Sequence, residues 1–161
     1  YGWLAAAAVA GGGSVWSTHF IAMLAYDPGV VVGYDIGPIF SSLAVALVMT
    51  AAGFLVFMQK GKGTTLAGGF LVGFAIVGLH YAGMAGISVP GRMEWDTSLV
   101  FMWAVYSIAF SCAALYFIRK AETASRFYAA VTSLVAGVVL LHFTGMGALT
   151  VVPGPFTVRP R

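Results

Sequence analysis

Histidine occurs three times in this 161-residue chain, and each copy is followed four residues later by methionine. On a helix, residues at i and i+4 project from the same face with Cβ atoms about 6 Å apart, so each pair can reach toward a common point. Imidazole with thioether suits Cu(I), because methionine sulfur is soft and uncharged. The sequence therefore predicts a metal site, with copper the preferred ion. The predicted ligands are His19, Met23, His80, Met84, His142 and Met146.

Apolar stretches must position these motifs. The chain is 60% hydrophobic and 8% charged, with a mean hydropathy of +0.95. A helix needs about 20 apolar residues to cross the hydrocarbon core of a bilayer. Five stretches meet this length, from about Leu4 to Tyr26, Pro38 to Met58, Leu66 to Ile87, Leu99 to Ile118 and Phe127 to Val152. We therefore predict an all-α fold, a polytopic membrane bundle of five transmembrane helices.

The histidine motifs belong to a longer repeat with a period of 61 to 62 residues. Pro-Gly, a turn signal, follows each motif. An aromatic-Asp pair then precedes the second and fourth stretches as Tyr34-Asp35 and Trp95-Asp96, while the third copy has Val158 at the aspartate position. We predict that Asp35 and Asp96 are helix N-caps. The chain is thus one domain built from helix-pair units at about 1–62, 63–124 and 125–161, and a partner helix for the third unit, or one preceding the first, is expected beyond it.

The loop charges predict the orientation, because loops rich in Lys and Arg stay in the cytoplasm. The loops after the second and fourth stretches carry five cations, whereas the other loops are mainly acidic. We expect the N-terminus in the cytoplasm and the motifs toward the outer face. The cations on the predicted cytoplasmic side are Lys60, Lys62, Arg119, Lys120 and Arg126, and those on the other side are Arg92, Arg159 and Arg161.

An intramembrane histidine can instead be a core residue hydrogen-bonded to a neighbouring helix, and methionine is common core filler. Polar residues inside a membrane are costly and are usually functional, which favours a metal or cofactor role here. A b-type haem held by two histidines is an alternative cofactor. Tyr81, next to His80, is expected to support that ligand by a hydrogen bond.

Several function classes lack sequence support. The single cysteine, Cys112, allows no intrachain disulfide and no CxxC site. The chain has no GxSxG motif, no Gly-rich phosphate loop and no basic cluster with interleaved aromatic residues. We therefore expect neither an enzyme nor a nucleic-acid-binding protein.

The repeated His-Phe/Tyr-x-Ala/Gly-Met motif resembles the MHYT domain, a bacterial module of the cytoplasmic membrane named for a Met-His-Tyr-Thr motif. The resemblance covers the whole chain. It implies copper bound by the six residues named above and sensing of oxygen, carbon monoxide or nitric oxide. This chain departs from the motif before each histidine, where Thr18, Leu79 and Leu141 replace methionine, and it keeps the family tyrosine and threonine only as Tyr81 and Thr144.

The leading hypothesis is a copper-binding membrane sensor module that responds to a diatomic gas or to redox state and signals to a membrane or cytoplasmic protein partner. The alternative is a non-signalling accessory subunit of a larger membrane complex, serving copper delivery, cofactor holding or packing. The lipid bilayer is a partner under both hypotheses.

Overall fold

The computed structural model describes residues 2–61 and 63–154. Within these residues the chain is a bundle of five helices of 21 to 24 residues, which confirms the predicted all-α class. At 1.5 Å per residue each helix is roughly 30 to 36 Å long, matching the thickness of a bilayer core. The helices are α1 (Gly2–Leu24), α2 (Ile36–Met58), α3 (Thr64–Met84), α4 (Thr97–Arg119) and α5 (Ala124–Gly147).

Four helices, α2 to α5, are long and apolar enough to cross a membrane. The large apolar side chains on their outer surfaces, such as Val48 and Phe101, are exposed as a lipid-facing surface requires. The chain is therefore a multi-pass membrane protein. Helix α1 has the same length, but small and polar residues occupy its middle, including Gly11, Ser14 and Ser17.

The helix starts follow from local hydrogen bonding. Asp35 caps α2 by accepting a hydrogen bond from the Gly37 backbone nitrogen, and Asp96 caps α4 by accepting from those of Ser98 and Leu99. These contacts satisfy amide groups that lack a partner in the first helical turn. The prediction that both aspartates are caps is confirmed.

Helix α3 packs extensively against α2 and α4, whereas α1 packs mainly on α2 and α5 mainly on α4; α1 and α5 also contact α3 directly. Glycines allow the backbones to approach closely. A Cβ atom on Gly68 would lie 2.7 Å from the Gly53 carbonyl oxygen of α2, and one on Gly73 would lie 2.5 Å from the Ile108 Cα of α4. Close packing through small residues is a common basis of helix association in lipid.

Two short antiparallel ladders, which the sequence analysis did not predict, join the loops that follow the motifs. Strand β1 (Gly33–Tyr34) pairs with β2 (Ile87–Ser88), and β3 (Gly91–Trp95) pairs with β4 (Leu149–Pro153). The two ladders are repeat equivalents, because Tyr34 opposite Ile87 corresponds to Trp95 opposite Leu149 at the 61- and 62-residue offsets. Each ladder therefore links one repeat unit to the next.

The bundle has two chemically different ends. The motif end carries the ladders and the C-terminal turns of the odd-numbered helices, which hold all three histidines. The basic end carries the loops around Lys60 and Lys120, so the histidines do lie opposite the basic loops, as predicted. At this end Arg119 of α4 donates a hydrogen bond to the Phe57 carbonyl oxygen of α2. The predicted orientation also used Lys62, Arg159 and Arg161, which lie outside the described residues.

Candidate metal centre

The three histidines converge in the middle of the bundle. His19, His80 and His142 each offer a ring nitrogen within 4.8 Å of the others, and their ring centroids are 4.9, 5.5 and 6.2 Å apart. The Nδ1 atoms of His19 and His80 are 3.3 Å apart. The prediction that the histidines converge is confirmed, and we refer to them as the histidine triad.

The triad is buried but poorly satisfied by hydrogen bonds. His19 is 5% exposed, His80 is 0% exposed and His142 is half-buried. Among the described residues, no hydrogen-bond partner is found for the buried Nε2 atoms of His19 and His80 or for Nδ1 of His142. Leaving such a group unpaired costs about 1 to 3 kcal/mol. The triad therefore has hydrogen-bonding or metal-binding capacity that the described residues do not use.

In the second and third copies, the glycine three positions after the histidine makes room for an imidazole of the preceding repeat unit. A Cβ atom on Gly83 would lie 2.9 Å from His19 Nε2, and one on Gly145 would lie 2.8 Å from His80 Nε2. Both distances are too short for a real side chain. Glycine at these two positions therefore lets the histidines of successive units meet.

The motif methionines lie on the motif-end side of the triad. Met23 and Met84 are buried in an apolar cluster with Ile87 and Leu149, and Met146 packs against it. We call this group the methionine cluster. A fourth methionine, Met93 of β3, also packs on it. Met93 could not be identified from the motif, because it lies outside the repeat and reaches the cluster through the pairing of β3 with β4.

Two aromatic residues lie near His80: Tyr81, which follows it in the chain, and Trp103 of α4. The Tyr81 ring is 53% exposed and stacks on Trp95 at 6.0 Å, and no hydrogen bond within the described residues joins it to a histidine. The aromatic ring against His80 is Trp103 of α4, at 5.4 Å and 1% exposed. Trp103 could not be identified from the motif, because nothing in it marks a tryptophan 23 residues after His80.

The family model for the MHYT repeat, described as a bacterial signalling protein N-terminal repeat, matches residues 12–69 and 73–130. The chain belongs to the MHYT family. The two matched stretches begin 61 residues apart and contain His19 and His80, whereas the third copy lies beyond them.

Relatives with similar MHYT sequences are bacterial signalling proteins. The chain is 39% identical to an uncharacterized signaling protein of Caulobacter vibrioides, over 94% of this chain and 19% of that protein. It is 33% identical to the bifunctional diguanylate cyclase/cyclic di-GMP phosphodiesterase MucR of Pseudomonas aeruginosa, over 96% and 24% of the two chains. The chain thus spans about a fifth to a quarter of these relatives. No solved structure matches it.

The residue directly before each histidine corresponds to the methionine in the name of the MHYT motif. Its burial, like its identity, differs between the repeat units. Leu79 and Leu141 are buried, at 2% and 3% exposure. Thr18 is exposed, and its hydroxyl group donates a hydrogen bond to the Ser14 carbonyl oxygen in its own helix. Buried leucines thus replace the methionine of the family name in two units. In the first unit, a threonine with an intrahelical hydrogen bond replaces it.

The donor set around this MHYT site contains no carboxylate. The group of closely spaced ligand atoms in the described part of the chain consists of the three imidazoles alone. Three nitrogens bound to one ion at about 2.0 to 2.1 Å lie roughly 3.4 to 3.6 Å apart. The nitrogens of the triad lie within 4.8 Å of one another, so side-chain adjustments of roughly 1 to 1.4 Å would bring them to one ion. Imidazole without carboxylate suits copper or zinc rather than magnesium or calcium. The residues present therefore fit a copper ion.

Proposed function

We propose that the chain is the membrane-embedded sensory module of a signalling protein and that it binds copper at the histidine triad. One observation carries the proposal: three imidazoles with unpaired nitrogens converge inside an apolar bundle. Intramembrane ionisable groups are expensive and mark functional sites by default. The signalling activity named for the relatives supports a sensor rather than an accessory subunit.

In this proposal the imidazoles of His19, His80 and His142 hold the ion, and Met23, Met84 and Met146 offer thioethers from the motif-end side. Copper bound there would supply a redox-active centre able to take an exogenous ligand. The glycines at 83 and 145 keep the imidazoles together, and the methionine cluster excludes water from that side. Soft sulfur near the site favours Cu(I).

A haem is less well supported than a single ion. The cavity beside the triad is about 90 Å³, far below the roughly 300 to 1,000 Å³ of sites that hold larger organic ligands. The imidazoles also contact each other directly, with the two Nδ1 atoms of His19 and His80 at 3.3 Å, which leaves no gap between them for a macrocycle.

We further propose that α1 is a fifth membrane span, that the protein resides in the bacterial cytoplasmic membrane and that the motif end faces the periplasm. The cations at the basic end support this orientation, because Lys and Arg concentrate in cytoplasmic loops. The module itself carries no catalytic role in this proposal. A diatomic gas or a redox change at the site would alter the positions of the odd-numbered helices, and a cytoplasmic cyclic-di-GMP-handling partner or domain would respond, as the name of MucR suggests. The signal must bind two conformations of the module with different affinity.

Copper retention in matched variants tests the proposal. Wild type, His80→Leu, Met84→Leu and the control Met102→Leu are purified under reducing conditions, and copper per chain is measured after dialysis against a competing chelator. Met102 is 41% exposed on α4 and lies outside the methionine cluster. Methionine-to-leucine changes keep the side-chain volume and usually cost less than about 1.5 kcal/mol.

We expect wild type and Met102→Leu to retain equal copper, His80→Leu to retain none and Met84→Leu to lose Cu(I) at a lower chelator concentration. Circular dichroism confirms equal folding of all four proteins. Equal copper in wild type and His80→Leu, or none in reconstituted wild type, would refute the proposal and favour the accessory-subunit alternative.

A further inference from the structure

An apolar groove extends from the basic end of the bundle along α1 and α5. Its volume is about 430 Å³, and all five helices contribute to its lining. Ala7 of α1 and Val131 of α5 line it and are both exposed, so the groove is open to the hydrocarbon of the bilayer. The lining side chains with polar atoms are Trp3, Thr50 and Ser111, and the last two are at most 5% exposed. An occupant of the groove would therefore contact apolar atoms almost throughout.

The dimensions of the groove match one acyl chain of one leaflet. On α1 the lining runs from Trp3 to Val15, which is roughly 18 Å at about 1.5 Å per residue. The hydrocarbon core of a bilayer is about 30 Å thick, so one leaflet contributes roughly 15 Å. A methylene group is similar in size to a water molecule, which takes about 30 Å³, so the groove holds roughly fourteen such groups. A fatty acyl chain running parallel to the helices has this length and volume.

Two arginines stand at the basic end of the groove. Arg119 directly follows the lining residue Ile118, and its guanidinium carbon lies 4.2 Å from the ring centroid of Phe57, which also lines the groove. Arg126 lies one helical turn before the lining residue Ala130, on the same face of α5. Both arginines are exposed. The planar guanidinium group is well suited to binding phosphate.

The charge balance of the basic end favours an anionic ligand. Among the described residues of its two loops and the adjoining helix turns, Glu122 is the one acidic residue, against Lys60, Arg119, Lys120 and Arg126. Each arginine donates one hydrogen bond to a backbone carbonyl oxygen, Arg119 to that of Phe57 and Arg126 to that of Lys120. A guanidinium has five N–H donors, so each arginine can also donate to a phosphate oxygen.

We propose that the groove and the two arginines form a binding site for one anionic glycerophospholipid, with an acyl chain in the groove and the phosphate group at Arg119 and Arg126. This lipid site goes beyond the proposed function and does not depend on a metal at the triad. A zwitterionic lipid could fill the groove equally well, but each Arg near an anionic headgroup adds roughly fivefold in affinity. The bound chain would contact α1 and α5 together, which otherwise pack mainly on α2 and α4.

Matched variants separate the groove from the charge. Ala7→Phe adds a ring to the groove lining, whereas Ala6→Phe adds the same ring at an exposed position of α1 outside the lining. Arg119→Gln and Arg126→Gln each remove one cation beside the groove, and Arg92→Gln removes an exposed cation at the motif end. Circular dichroism confirms folding. Native mass spectrometry in detergent then counts bound lipid during titration with phosphatidylglycerol or with phosphatidylcholine of identical acyl chains. Glycerol phosphate serves as the headgroup probe without chains.

We expect wild type, Ala6→Phe and Arg92→Gln to bind one phosphatidylglycerol at least tenfold more tightly than phosphatidylcholine. Ala7→Phe should lower the affinity for both lipids at least tenfold. Arg119→Gln and Arg126→Gln should each lower the affinity for phosphatidylglycerol by roughly fivefold and that for phosphatidylcholine by less.

Equal affinity of wild type for the two lipids, or unchanged phosphatidylglycerol binding in both arginine variants, would overturn the preference for an anionic headgroup. Wild-type lipid binding by Ala7→Phe would overturn the groove assignment. Glycerol phosphate binding as tight as that of phosphatidylglycerol would show a phosphate site that needs no chain, which also contradicts the proposal. A lipid-free dimer that Ala7→Phe dissociates would assign the groove to a second copy of the chain instead.

Discussion

The contact between Gly145 and His80 yields a quantitative prediction for Gly145→Ala. The new Cβ atom would lie 2.8 Å from His80 Nε2, which forces the imidazole or α5 to move. Overpacking of this kind costs about 1 to 3 kcal/mol. Alanine has a helix propensity about 1 kcal/mol more favourable than that of glycine. The sign of the net change in stability of Gly145→Ala therefore cannot by itself reveal the clash. Gly147→Ala is the matched control. Gly147 lies in the last turn of the same helix, and no atom lies within 4 Å of the Cβ that alanine would add, so this variant gains helix propensity without a clash.

The difference between the two variants therefore isolates the clash. Gly145→Ala should unfold below Gly147→Ala by roughly 2 to 12 °C, taking about 2 to 4 °C per kcal/mol for a domain of this size. The measurement is thermal unfolding in detergent followed by circular dichroism, and copper retention after chelator dialysis should fall only in Gly145→Ala. Equal midpoints and equal copper in the two variants would show that His80 does not rest on Gly145.

Three further predictions follow from the fold. Asp96→Ala should lower stability by about 0.5 to 2 kcal/mol in thermal unfolding, because two backbone amides lose their acceptor. Cysteine labelling tests the orientation in a background where Cys112 is replaced. Glu94→Cys should react with a membrane-impermeant maleimide in intact cells, whereas Lys60→Cys should react only after permeabilisation. The reverse pattern would contradict the proposed orientation. Trp103→Ala should cost about 3 to 5 kcal/mol in denaturant unfolding, whereas the exposed Met102→Ala should change stability by no more than about 0.5 kcal/mol.

The helices and the triad were predictable from the sequence because their signals are local or repeated. Apolar stretches of bilayer length specify helices whatever their neighbours are. The offset of 61 to 62 residues places each histidine at the same level of a parallel helix, so convergence requires only that the odd-numbered helices meet. The helix caps followed from the positions of Asp35 and Asp96 just before apolar stretches.

The ladders and Trp103 were not predictable because they depend on contacts between repeat units. β1 and β2 have two residues each, and their pairing requires the helices to be already in place. The repeat units also fill equivalent space differently. In the first unit Trp16 of α1 donates a hydrogen bond to Ser42, whereas in the second unit Trp103 stands at the position equivalent to Ser42 and packs on His80. A tryptophan that changes helix between units leaves no repeated pattern.

The triad is a product of packing between repeat units, because no single unit forms it. His19 of the first unit rests on Gly83 of the second, and His80 of the second rests on Gly145 of the third. Ala22 stands at the equivalent position of the first unit, and both Ala22 and His142 line the cavity beside the triad. The ladders join the same pairs of units. A ligand that shifts the backbones at Gly83 or Gly145 therefore moves one unit against the next. Under the proposed function, this is how an event at the triad would reach the basic end.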